Sequence, residues 1–196
     1  LLASNSSWGG SAALVSLFAQ VGAFPLATNS KDAALVTTLV PKLYTASLSG
    51  KSDGIGMVEI YDADLAATLG GRFPKVIGHA PVGTGEGVLI AGFTITGDTA
   101  LHVVIRAVGP SLGIKGSLAD PQLSLYSGTA LVVRNDNWGG SSTLSSLFAQ
   151  VGASSLPTTS KDSAIDVTLQ PGTYSAVVSG VGLTTGLANL EFYEVP

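Results

Sequence analysis

A block of 46 residues occurs twice, and its first occurrence comes too early. Residues 5–50 return as 135–180 at a constant offset of 130, without a gap and with 27 of the 46 positions identical. A long run of strand-like sequence precedes the second copy, whereas the first begins almost at once, with Leu1 aligned to Leu131. Aligned this way, the chain reads as one whole unit (72–196) preceded by the C-terminal half of another (1–64), with 65–71 as a linker. Half of a β-unit leaves strand edges and one face of a core uncovered, so the repeat predicts a partner that completes it.

Composition narrows the fold. Charged residues supply 11% of the chain and hydrophobic ones 45%, with 25 glycines, a balance that suits many short strands joined by tight turns. The net charge is −4 and the nine Lys and Arg are scattered, so nucleic acid is not an expected partner. Without cysteine there is no disulfide, thiolate metal site or Cys nucleophile. No apolar run approaches the roughly 20 residues of a membrane span.

Alternation predicts strands at 73–79, 88–96, 101–109, 122–126, 130–135, 163–169, 173–180 and 187–195, with turns at Gly97-Asp98, Ser127-Gly128 and Pro171-Gly172. In the third, Leu101, Val103, Ile105 and Ala107 oppose His102, Val104, Arg106 and Val108. Eight short strands at this spacing indicate an antiparallel sandwich. One short helix interrupts them: Ser141 is placed as its cap, Leu144, Leu147, Phe148 and Val151 form an apolar stripe, and Gly152 ends it. The first copy repeats the device with Ser11, Leu14, Leu17, Phe18, Val21 and Gly22, and adds expected strands at 1–4, 33–39, 43–50 and 56–62. Both stripes are candidate core and assembly residues.

The segments 82–93 (VGTGEGVLIAGF), 106–112 (RAVGPSL), 118–121 (LADP) and 135–139 (NDNWG) resemble tandem Ig-like repeats of large secreted bacterial proteins. The resemblance implies an all-β fold of two Ig-like antiparallel β-sandwich units, each with one short helix and the first incomplete. It further implies an extracellular, structural or adhesive role without catalysis. The phasing is also similar in architecture to self-assembling, pilus-like extracellular filament subunits, whose neighbours complete each other's sheets.

The remaining motifs have plain readings. Asn135-Asp136-Asn137 is oxygen-rich, as calcium loops are, but lacks an EF-hand's acidic pattern and reads as a turn. Trp8 and Trp138 could stack on a sugar; a buried plug at the sandwich end is the expectation. Lys31-Asp32 and Lys161-Asp162 read as local ion pairs or turn contacts. The glycines of 83–87 lack the Lys-Ser/Thr of a phosphate loop and lead into a strand. His79 and His102 fall on separate strands and belong to no Ser-His-Asp grouping. Asn5-Ser6-Ser7 is a formal N-glycosylation sequon, making glycans on Asn5 a possible modification. No catalytic residue, metal or cofactor is expected.

Two functions follow as expectations. The first is a structural subunit of an extracellular bacterial filament, a helical homopolymer joined by strand complementation between neighbouring units. The alternative is a repeat segment of a cell-surface stalk or adhesin that binds carbohydrate or another surface partner.

Overall fold

The structure is a computed structural model that describes residues 1–52, 54–63 and 75–196. By its contacts the chain divides into two units, Leu1–Arg72 and Phe73–Pro196. The expected linker 65–71 lies outside the described residues, as do the first two positions of the strand expected at 73–79. Among the described residues no helix is long and apolar enough to cross a membrane.

In the first unit the regular element is helix α1 (Ala12–Val21), stopped by Gly22 at φ 70°. The second unit holds strands β1 (Lys75–Val82), β2 (Leu89–Ile95), β3 (Leu101–Val108), β4 (Pro121–Ser127) and β5 (Ala130–Asn135). Helix α2 (Ser142–Gln150) follows, then β6 (Ser163–Leu169), β7 (Gly172–Gly180) and β8 (Gly186–Glu194). The side chain of Ser141 caps α2 by accepting the Leu144 N–H. The strands form two four-stranded antiparallel sheets, β1-β8-β3-β6 and β2-β7-β4-β5.

The fold is therefore the expected all-β sandwich, and its strand order specifies which kind. An Ig domain pairs strands adjacent in sequence within its sheets. Here, of the strands adjacent in sequence, only β4 and β5 pair. The ladders β4–β5, β3–β6, β2–β7 and β1–β8 describe one long hairpin, folded at Gly128-Thr129. It is rolled so that β3 also meets β8 and β4 also meets β7. This is a jelly roll. Every one of these ladders joins a strand of β1–β4 to a strand of β5–β8. Neither half contains a ladder of its own.

The inner faces pack Val103, Ile105 and Ala107 of β3 against Leu123, Leu125, Ala176, Val178 and Leu190. The outer face of the β3 sheet is covered too: Val104, Val108, Ala164 and Tyr193 lie under Trp138, Phe148 and Leu156. Strand β3 is thus buried on both sides, which is why its sequence is apolar at nearly every position.

The crossed ladders explain the largest departure from expectation. The strands expected at 1–4, 33–39, 43–50 and 56–62 are not formed; the described residues there carry no strand. Their counterparts in the second unit are the end of β5 and strands β6, β7 and β8, which pair with β1–β4 and never with one another. Alternation in the first copy is real, but it has no ladder to join.

Candidate assembly interface

One piece of the repeat is built identically in both copies. The Trp8 indole N–H donates to Ala27 O (3.0 Å) and Ser30 Oγ (3.1 Å). Its counterpart Trp138 donates to Pro157 O and Ser160 Oγ, both at 3.1 Å. The backbone N–H of each Trp donates to Asp32 O or Asp162 O at 2.8 Å. Trp8 lies 5.7 Å from Phe18 at 44°, and Trp138 lies 5.6 Å from Phe148 at 46°. Gly10 and Gly140 turn the chain at φ +68° and +66°, where a Cβ would lie 3.1 and 3.0 Å from Thr28 O and Thr158 O. Both tryptophans are nearly fully buried, at 4% and 3% exposure. They are plugs as expected; Trp138 sits under the helix on the outer face of the β3 sheet rather than at the sandwich end.

In the second unit this Trp–helix knot is fastened to the N-terminal half by two polar clamps. At the first, Arg106 of β3 is 1% exposed and Glu191 of β8 is 5% exposed. Arg106 Nε and Nη2 lie 2.8 and 2.6 Å from Glu191 Oε2, and Nη1 donates to Ser154 O at 2.5 Å. The guanidinium stacks 4.6 Å from the Phe148 ring and 5.6 Å from that of Tyr193. The Tyr193 hydroxyl donates to Glu191 Oε2 at 3.1 Å. Burial, then the nearby Glu191 charge, pushes the Tyr193 pKa up to about 12, with Arg106 opposing.

The second clamp is Asp162, which is fully buried. Its Oδ1 accepts the Gly109 N–H at 2.8 Å and the Ser111 N–H at 3.4 Å, and its Oδ2 accepts the Ser111 hydroxyl. Gly109 has no room for a side chain, since a Cβ would lie 2.2 Å from Leu118 O. Lys161 does not pair with its neighbour Asp162 but with Asp120. The expected local ion pair is thereby corrected: along extended chain, adjacent side chains point to opposite sides.

The first copy retains the C-terminal side of both clamps. Allowing a loop two residues shorter after Gly50, Glu59 and Tyr61 correspond to Glu191 and Tyr193. The Tyr61 hydroxyl donates to Glu59 Oε1 at 3.1 Å, the same contact made two residues apart. Burial first, and then the hydrogen bond to Glu59, raises the Tyr61 pKa. Phe18 and Asp32 correspond to Phe148 and Asp162. Asp32 and Glu59 are exposed. The apolar positions follow suit. Leu35 and Leu39 are 52% and 43% exposed, while their counterparts Ile165 and Leu169 are each 3% exposed.

The helix stripes show the same contrast. Leu14, Leu17, Phe18 and Val21 are half-buried. Leu144, Leu147 and Val151 are also half-buried but pack on the Val104–Tyr193 cluster, and Phe148 is buried within it. Asn135 makes a turn contact, its Nδ2 donating to Asn137 O at 2.9 Å, and its Oδ1 accepts the Ala164 N–H at 3.1 Å. Asn5 Oδ1 accepts the Ala34 N–H at 3.2 Å, and Asn5 is exposed. The 83–87 loop closes through Gly83 N–H to Gly87 O at 2.7 Å and leads into β2. His79 contacts Asn189 (2.7 Å) on one side of the sheet order and His102 contacts Asp166 (2.5 Å) on the other. Among the described residues no three His, Cys, Asp or Glu side chains cluster as a metal site would require.

No protein-family model matches this chain, and no curated protein matches it. Among solved structures it is similar to the pre-peptidase C-terminal domain of a collagenase from Bacillus anthracis. The match has 11% identity and a TM-score of 0.38, over 60% of this chain and 88% of that one. The sandwich assignment rests on this chain's own sheets.

Proposed function

We propose that the protein is a non-catalytic structural module of an extracellular bacterial assembly, in which the half-unit 1–63 is completed by strands from a neighbouring unit. The carrying observation is that every ladder of the jelly roll crosses between its two halves. A lone C-terminal half therefore gains its sheets only from a partner, the β-augmentation mode. Covering Leu35, Leu39, Leu48 and Val58, each about half exposed, contributes roughly half of the 1.5–3 kcal/mol of a full burial, or about 3–6 kcal/mol for the four. The backbone ladders add to this against the roughly 4–15 kcal/mol that association between free molecules costs. A charged fraction of 11% keeps repulsion between stacked copies low. Copies joined through different surfaces propagate as a filament when the contact does not close on itself.

A second reading is favoured by the arithmetic of halves. These residues hold two C-terminal halves (1–63 and 130–196) and one N-terminal half (75–127), which already completes 130–196. A stalk of tandem repeats, each half meeting its complement along a longer chain, satisfies every half. Sedimentation and negative-stain electron microscopy, read with amide exchange, tell the two readings apart. Concentration-dependent assembly is expected of the filament, and a monomer with fast-exchanging amides in 33–62 is expected of a stalk segment. A monomer at every concentration, with slowly exchanging amides throughout 33–62, overturns both.

A further inference from the structure

We infer that residues 1–63 are a receptor for one kind of polypeptide: an N-terminal half-unit, additional to 75–127, whose central strand carries an arginine and, five residues on, a serine after Gly-Pro. The inference rests on the complementation reading above and names the partner that reading leaves open.

In the second unit β3 lies between β6 and β8, hydrogen-bonded to both. Counterparts of both neighbours, 33–39 and 56–62, are present in the first unit and carry no ladder. The groups that receive Arg106 are Glu191, Tyr193 and Phe148, and the first unit repeats them as Glu59, Tyr61 and Phe18. The group that receives Gly109 and Ser111 is Asp162, and the first unit repeats it as Asp32. A segment lacking the arginine would bury Glu59 uncompensated on docking, which is strongly unfavourable. Lysine is a poor substitute, because the planar guanidinium meets the carboxylate with two nitrogens while stacking on the ring. A second copy of these residues has no such half to spare without uncovering its own 130–196. The two carboxylates therefore act as a selectivity filter on what completes the sheet.

The test is the full chain carrying an additional copy of residues 73–130 directly before Leu1, followed by amide hydrogen exchange. In the extended protein, amides of 33–39 and 56–62 should slow by about a hundredfold or more relative to the starting chain. Glu59→Gln, Asp32→Asn, or the added half's arginine changed to Met should each restore at least about tenfold faster exchange there. Glu59→Leu combined with that Arg→Met change should lose less than the two single changes together. Amides of Leu101–Val108 in the downstream unit report that each variant remains folded. Slowed exchange that ignores all of these substitutions overturns the filter and leaves complementation standing. No slowing in the extended protein overturns both.

Discussion

Arg106 and Glu191 meet 2.6 Å apart across the seam between the two halves of a jelly roll, both almost wholly removed from water. Each comes from a central strand of its sheet, yet 85 residues of chain separate them. A buried pair of this kind is a poor source of net stability and a good source of discrimination, because either charge alone is costly to bury.

Removing one partner should therefore cost more than removing both. Arg106→Met or Glu191→Leu should each destabilise the second unit by about 3–5 kcal/mol, and the double variant by clearly less. Urea unfolding of the full chain, followed by tryptophan fluorescence, measures the difference.

Equivalent positions in the two copies should respond unequally. Asp162→Asn weakens charge-assisted hydrogen bonds to Gly109 and Ser111 and should cost roughly 1.5–3 kcal/mol. Asp32→Asn in the same chain, at an exposed site, should stay within about 0.5 kcal/mol. Thermal denaturation of the two variants side by side decides it.

A methyl group at Gly109 would collide with the Leu118 carbonyl at 2.2 Å, whereas at Gly87 a Cβ meets nothing within 4 Å. Gly109→Ala should destabilise by roughly 1–3 kcal/mol or more, since backbone must move to admit it. Gly87→Ala should be nearly neutral. The comparison separates a close-approach glycine from a merely exposed one.

Alkali should unfasten the first clamp. The Tyr193 pKa of about 12 lies above its ordinary value of 10.0, so folding favours the neutral phenol. The stabilisation is complete below about pH 10 and is lost as pH rises through about 12, on the order of 2 kcal/mol in all. Denaturation midpoints across that range should fall, and Tyr193→Phe should flatten the fall.

Much of the second unit was legible in its residues because alternation and helical spacing record which side chains face a core. Val103, Ile105 and Ala107 declared one face of β3, and the 144–151 stripe declared the helix. The partner of a strand is not recorded that way. Leu35 and Leu39 alternate as well as Ile165 does, but the strand they need lies in the other half of the unit. Arg106 shares its face of β3 with His102, and nothing in the spacing records that the Trp–helix knot covers that face. The apolar Val104 and Val108 on either side of Arg106 were the available signal. The strand order was hidden for a related reason: turns at Gly97-Asp98 and Pro171-Gly172 announce a reversal without saying whether the chain stays in its sheet or crosses to the other.

Crossed ladders also put folding on a clock. As the chain leaves the ribosome, β1–β4 emerge with nothing from their own unit to pair with until the turn at Gly128 has passed. That is roughly 60 residues of waiting, or about 3–12 s at ordinary synthesis rates. During that interval the complementary strands already available are the earlier-made ones of 1–63. Strands β1–β4 therefore stay unpaired within their own unit until β5 and its successors are made, an interval in which bare strand edges are open to mispairing.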